Sequence, residues 1–161
     1  MSEKTFVKLT ALLDEHQARY RVVEHPSAGK SEEVAKVRGT ELGQGAKALV
    51  CVVKGNGIKQ QVLAVICSDY QANLTALAQA LGGTRASLAS PDEVQALTDC
   101  VFGAIPPFSF HEKLLLVVEP AVLARFDEIA FNAGTLERSI ILNTADYEQI
   151  VQPKLVAFRR T

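Results

Sequence analysis

Two short segments contain the residues best suited to chemistry. Residues 45–50, GAKALV, place Lys47 alone within an apolar run. Residues 102–108, FGAIPPF, begin near a glycine and continue through two consecutive prolines. Glycine lets a ligand approach the backbone closely, and the prolines hold the following backbone rigid. Together the segments predict a site that combines one ammonium group with fixed backbone groups, without a metal ion or an acidic pair.

Lys47 has two interpretations. If residues 46–53 form a strand, alternation places Lys47 on the same face as Leu49, Cys51 and Val53. In the first interpretation, the ammonium group reaches water along its own methylene groups from the end of the strand. In the second, it points into a cleft, where partial desolvation and a fixed position let it bind an anionic or carbonyl oxygen.

The loop at residues 103–107 and His25 each have two interpretations as well. The loop at residues 103–107 is either an ordinary tight connection or a backbone that aims polar groups at a substrate, as in an oxyanion hole. His25, which precedes Pro26, either lines a pocket or belongs to a turn. The histidine and cysteine spacings match no metal site, and the chain contains no GxSxG elbow or Walker loop. We therefore expect no metal ion or other cofactor.

Composition limits the class of protein. The chain has 161 residues, of which 48% are hydrophobic, so we expect one domain over residues 1–161. A formal charge of -1 excludes a polycationic nucleic-acid binder, and we expect no DNA partner. No apolar run approaches the ~20 residues of a membrane span, so we expect no membrane partner and a cytoplasmic location. Cys51, Cys67 and Cys100 are predicted to be buried free thiols.

The elements that must position Lys47 and the loop follow from periodicity and turn signals. Helices are predicted at residues 4–18, 31–38 with Ser31 as the cap, 74–81, from Pro91 after a Ser90 cap, and 147–151. Strands are predicted at residues 20–25, 46–53, 60–67, 114–118 and 139–142, with an Asn56-Gly57 hairpin turn. This order predicts a single α/β domain with a mixed, mostly antiparallel β-sheet packed against surrounding helices.

Three short segments, taken in their order along the chain, resemble the motifs of a known family. They are Lys47-Ala48-Leu49, the GxxxP loop at residues 103–107, and Asn132-Ala133-Gly134. The chain is similar to the YbaK-type aminoacyl-tRNA deacylases, whose domain also occurs as the editing insertion of bacterial prolyl-tRNA synthetases. The resemblance covers nearly the whole chain, looks close to the free-standing YeaK branch, and implies a YbaK-like fold.

The resemblance implies hydrolysis of the ester that joins a wrong amino acid to the 3′ end of a tRNA. It assigns catalytic roles to Lys47, which would hold the terminal phosphate or ribose, and to Gly103. The residues that it assigns to substrate binding are His25, Ala104, Ile105, Pro106, Pro107, Asn132 and Gly134. Ala104 and Pro106 depart from the usual GxxxP loop. By analogy with the free-standing branch, a Ser or Thr ester is the first expectation and an Ala ester the second.

The motifs contain no carboxylate that could act as general base. We therefore expect a water activated by substrate hydroxyl or backbone groups, with Lys47 supplying charge. Ile105, Pro106 and Phe108 are expected to form a compact pocket wall.

Mischarged tRNA is the expected partner, and a synthetase or an elongation factor stays open as a second one. Two sets of basic residues are candidates for holding the tRNA body: Lys54 and Lys59 on the hairpin, or Arg159 and Arg160 near the end of the sequence. Each of these residues is alternatively an ordinary solvated charge. Two other functions stay open, a non-catalytic module that binds aminoacyl-tRNA or an amino-acid derivative, and an esterase for another activated acyl compound.

Overall fold

A computed structural model describes residues 2–160, and within that range the chain forms six helices and eight strands. The helices are α1 (Ser2–Glu15), α2 (Ser31–Arg38), α3 (Leu74–Ala80), α4 (Pro91–Thr98), α5 (Ala121–Ala124) and α6 (Thr144–Val151). The strands are β1 (Tyr20–Glu24), β2 (Ala46–Gly55), β3 (Ile58–Cys67), β4 (Arg85–Leu88), β5 (Leu114–Val118), β6 (Glu128–Asn132), β7 (Arg138–Asn143) and β8 (Lys154–Leu155).

The strands form two sheets. The larger has the order β4-β2-β3-β5-β8, with β5 parallel to β3 and to β8 and antiparallel pairing elsewhere. The smaller has the order β1-β7-β6 and is antiparallel. A parallel bridge between Gly45 and Ala130 joins them. The predicted mixed, mostly antiparallel α/β fold is confirmed, although the strands divide into two sheets where the sequence predicts one.

The turn and cap signals are borne out at two of three positions. Asn56 and Gly57 have φ values of 53° and 80° and close the β2–β3 hairpin, as a turn with two positive φ angles requires. Ser90 caps α4, because its Oγ accepts the Glu93 N–H at 3.2 Å. The Ser31 cap is wrong: Lys30 is the cap residue, and Ser31 is the first residue of α2.

Other boundaries differ from the prediction. Helix α1 ends at Glu15 rather than at residue 18. Gln17, two residues later, adopts a φ of 55°, which does not continue a helix. Strands β4, β6 and β8 and the short helix α5 are not among the predicted elements. Each is at most five residues long, too short to give a clear periodic pattern.

Both faces of the larger sheet are covered. One face packs against the smaller sheet, α1 and α6, in a core that includes Leu9, Phe131 and Tyr147. The opposite face packs against α3 and Phe158. The three cysteines are buried free thiols, as predicted. In the described part of the chain, no helix has the length and apolar character needed to cross a bilayer.

Candidate active site

A pocket of about 190 Å³ lies where β2 begins, between α2, the loop after α4, and β6. It is lined by Gly29, Ser31, Val34, Arg38, Ala46, Lys47, Ala48, Leu49, Ser68, Phe102, Gly103, Ile105, Phe131 and Asn132. The pocket therefore brings Lys47 and Gly103 together, although 55 other residues separate them in the sequence.

The pocket lies along an open strand edge. Residues 46–49 are consecutive, and their side chains alternate between the two faces of β2, yet all four line the pocket. On the side of β2 away from β3, pairing with β4 begins only at Cys51. Between that point and the Gly45 bridge, β2 has no second partner strand among residues 2–160. The short length of β4 thus leaves space for a ligand.

Lys47 is half-buried and held in place. Its Nζ donates a hydrogen bond to the Tyr70 carbonyl oxygen at 3.2 Å. Burial lowers the pKa of Lys47, and the negative charges of Asp69 and Glu32 oppose that shift. The alternation that places Lys47 on the face of Leu49 and Cys51 is confirmed by the packing of those two residues. The ammonium group is thus partly desolvated and fixed at the pocket.

Gly103 meets a second segment of backbone. Its φ is 84°, and a Cβ built there would lie 3.0 Å from the Gly29 carbonyl oxygen and 3.1 Å from the Gly29 Cα. The position therefore requires glycine both for its backbone conformation and for the close approach of Gly29. The N–H groups of Gly103 and Ile105 have no hydrogen-bond partner within residues 2–160. Both residues line the pocket, so these N–H groups are candidates for stabilising an oxyanion.

Asn132 fixes the two backbone segments that meet at Gly103. Its Nδ2 donates to the Gly103 carbonyl at 2.7 Å and to the Ala28 carbonyl at 3.0 Å. Its Oδ1 accepts from Ser139 Oγ at 3.0 Å, and His25 Nε2 lies 2.8 Å from the same hydroxyl. Asn132 is thus a pocket residue that also sets the position of the loop. His25 does not line the pocket and reaches Asn132 only through the Ser139 hydroxyl.

Arg38 is a pocket residue that sequence analysis missed. Its side chain is buried, and the guanidinium donates to Ser139 Oγ at 3.1 Å and to Thr40 Oγ1 at 3.2 Å. Burial lowers the pKa of Arg38 to about 10, and no carboxylate pairs with it among residues 2–160. The available signal was its position four residues after the buried Val34, on the same face of α2.

Several predicted substrate-binding residues do not line the pocket. Ala104 is fully buried, and both its N–H and its carbonyl are used within the protein, the carbonyl by the Gly134 N–H. The Pro107 carbonyl accepts from the Tyr147 hydroxyl at 2.6 Å. Of the predicted apolar wall, Ile105 lines the pocket, whereas Pro106 and Phe108 do not. Both departures from the usual loop, Ala104 and Pro106, therefore lie behind the pocket wall.

The pocket chemistry favours positioning over covalent catalysis. Its lining, taken from residues 2–160, contains no aspartate, glutamate or histidine that could act as a base at the reacting atoms. It offers two cations, Lys47 and Arg38, together with backbone N–H groups and the hydroxyls of Ser31 and Ser68. Such a site holds and polarises an oxygen-rich group that is already activated.

Fold and pocket together define an α/β domain with a small, partly polar pocket beside a fixed lysine. The chain belongs to the aminoacyl-tRNA editing domain family, whose model matches residues 25–150. The family expected from the lysine, the GxxxP loop and the Asn-Ala-Gly turn is confirmed.

Two curated relatives span nearly the whole chain. The chain is 63% identical to the multifunctional Ser/Thr-tRNA deacylase ProXp-y of Escherichia coli (strain K12), over 98% of this chain and 94% of that protein. It is 27% identical to the prolyl-tRNA editing protein ProX of Acetoanaerobium sticklandii, over 88% of this chain and 87% of that one.

Solved structures share the fold at low sequence identity. The crystal structure of a candidate trans-editing enzyme for prolyl tRNA synthetase matches with a TM-score of 0.80 and 21% identity, over 98% of each chain. That of a hypothetical protein matches with a TM-score of 0.83 and 18% identity, over 95% of this chain and 99% of the other. At these identities the likeness concerns the fold alone.

Proposed function

We propose that this protein is a hydrolase that cleaves the ester bond of tRNAs mischarged with serine or threonine. One observation carries the proposal: the pocket brings Lys47, Gly103 and Asn132 together in a chain 63% identical to a Ser/Thr-tRNA deacylase. The activity would protect translation fidelity, in keeping with the expected cytoplasmic location.

In the proposed reaction, water attacks the ester carbonyl carbon, and the bond from that carbon to the ribose oxygen breaks. The proton lost by the water is transferred to the ribose oxygen, which yields free amino acid and uncharged tRNA. Lys47 holds the phosphate or ribose of the terminal nucleotide, and the Gly103 and Ile105 N–H groups face the developing oxyanion. A single donor of this kind contributes about 3 kcal/mol to transition-state stabilisation.

Polar groups in the pocket support a hydroxylated amino acid. The Ser31 and Ser68 hydroxyls lie in the same lining as apolar Val34 and Ile105. A site that hydrogen-bonds a substrate hydroxyl discriminates strongly against an analogue that lacks it. We therefore place an alanyl ester second to seryl and threonyl esters.

A panel of tRNAs charged with serine, threonine, alanine or a cognate amino acid tests the proposal. We expect seryl and threonyl esters to be lost faster than the uncatalysed rate, and alanyl esters to be lost more slowly than these two. Lys47→Ala should lower the enzyme-dependent rate by about 100-fold or more. Binding of charged tRNA without ester loss would instead support the non-catalytic module. Repeating the assay with a synthetase or an elongation factor tests whether either is a further partner.

A further inference from the structure

The Tyr70 ring beside the pocket organises two arginines. The guanidinium carbons of Arg125 and Arg159 lie 4.7 Å and 4.9 Å from the ring centroid. The carbonyl of the same Tyr70 accepts the hydrogen bond from Lys47 Nζ. One residue thus fixes the site lysine through its backbone and two surface cations through its ring.

The two arginines differ in how much of their charge is free. Arg125 forms a bidentate ion pair with Asp69, at 2.7 Å and 3.0 Å. Arg159 is exposed, and no carboxylate pairs with it among residues 2–160. A cation held against an aromatic ring is ordered but keeps its charge. Arg159 therefore presents a preorganised and uncompensated charge next to the pocket.

The chain near residue 160 is fastened to the same segment. Ala72 forms an antiparallel bridge with Arg159, and the Arg160 N–H donates to the Gln71 carbonyl at 2.7 Å. The Arg160 side chain also donates to Gln71 Oε1 at 3.3 Å. These contacts hold both arginines against residues 70–72, the segment that includes Tyr70.

The alternative basic pair lies elsewhere. Lys54 and Lys59 face each other at the turn of the β2–β3 hairpin. Lys54 lies seven positions after Lys47 along β2, so the turn is roughly 23 Å from the pocket at ~3.3 Å per residue. Arg159, by contrast, contacts Tyr70, the residue that holds Lys47, and Arg160 contacts the neighbouring Gln71.

We propose that the single-stranded 3′ end of the tRNA leaves the pocket across Tyr70, with its phosphates against Arg159 and Arg160. The proposal rests on the proposed function, which places the terminal ester beside Lys47. A phosphate-bearing strand fits this surface because Arg159 and Arg160 are exposed and each is held by a contact to residues 70–71. Arginine also binds phosphate in a bidentate manner. The proposed contact is to the sugar-phosphate backbone of the tRNA, so no base has to stack on the Tyr70 ring.

Steady-state kinetics on two substrates tests this path. Seryl-tRNA carries the 3′ phosphates, whereas a seryl ester of adenosine lacks them. For Arg159→Ala combined with Arg160→Ala, we expect KM for seryl-tRNA to rise roughly tenfold with kcat unchanged, and kinetics on seryl-adenosine to stay the same. The salt dependence of log kcat/KM should flatten by about 0.7 per lost phosphate contact. Arg85→Ala, an exposed arginine on β4, is the matched control.

The outcomes separate this inference from the proposed function. Equal losses on both substrates, or seryl-tRNA kinetics matching the Arg85→Ala control, would overturn the path across Tyr70 while leaving the deacylase intact. Fluorescence anisotropy with a labelled oligonucleotide ending in CCA adds a readout that needs no catalysis. If the native chain binds the oligonucleotide and the double variant does not, the path is supported even where no ester is hydrolysed.

Discussion

The two ends of the β2–β3 hairpin each carry lysine, in opposite environments. At the pocket end Lys47 is half-buried, and its Nζ is bonded to the Tyr70 carbonyl. At the turn end Lys54 is exposed and lies directly opposite Lys59, which is also exposed. The difference shows that a lysine on this strand is fixed and partly desolvated only where a neighbouring segment contacts it.

Replacing each lysine is the strongest test of this comparison. We expect Lys47→Ala to lower kcat/KM for seryl-tRNA by about 100-fold or more, the scale of losing one preorganised charge at a reacting centre. Lys54→Ala should stay within about twofold of the native value. Circular dichroism and thermal melting would check that both variants fold. Similar losses in the two variants would contradict the distinction between the two ends.

A glycine at the pocket and a glycine at the hairpin turn extend the comparison, with smaller expected effects. Gly103 and Gly57 have nearly equal φ values, 84° and 80°, but a Cβ meets Gly29 at the first and nothing within 4 Å at the second. We expect Gly57→Ala to cost about 1 kcal/mol in the free energy of unfolding, from conformation alone. Gly103→Ala should cost about 2 kcal/mol and lower kcat at least tenfold, because the loop must also move.

Urea denaturation and deacylation kinetics measure these two effects separately. If Gly103→Ala lost stability without losing activity, the loop would be structural rather than part of the site.

The pH dependence distinguishes the pocket lysine from an ordinary one. Burial lowers the pKa of Lys47 below the usual 10.5, so its ammonium form is lost at a lower pH than that of an exposed lysine. We expect enzyme-dependent kcat/KM to decline on the alkaline side with an apparent pKa below 10.5. In Lys47→Arg the decline should move to higher pH, because guanidinium stays protonated. An unchanged alkaline limb in that variant would assign the limb to another group.

The smallest expected effect concerns the turn end. Lys54 and Lys59 are directly opposed like charges, which destabilise an antiparallel pair by a few tenths of a kcal/mol. Lys59→Glu should therefore raise the free energy of unfolding by roughly 0.5 kcal/mol, with seryl-tRNA kinetics unchanged. Equilibrium urea unfolding measures the gain, and Lys59→Gln separates charge attraction from relief of repulsion.

Local signals predicted the parts of this fold that depend on neighbouring residues. The Asn56-Gly57 turn, the Ser90 cap and the face occupied by Lys47 are confirmed, because turn chemistry, capping and alternation act within a few residues. The meeting of Lys47 with Gly103 came from family resemblance, since no local rule joins positions so far apart.

Tertiary contacts account for what sequence analysis missed. Arg38 reads as a solvated helix charge until Ser139 and Thr40 supply its buried partners. Strand β6 and the second sheet depend on pairing with β7, which periodicity over five residues does not reveal. Likewise, Arg159 gains its place beside the pocket only through Tyr70 and the bridge to Ala72.

Strand β4 pairs with only part of β2, and this affects solubility as well as binding. A strand edge without a partner is a template on which another chain can add a strand and begin aggregation. Here the open edge of β2 is recessed, with α2 and Phe102 lining the same cavity. The recess has space for a small group, such as one carried at the 3′ end of a tRNA, but leaves little room for another β-strand. The protein thus shields an aggregation-prone edge with the same walls that shape its pocket.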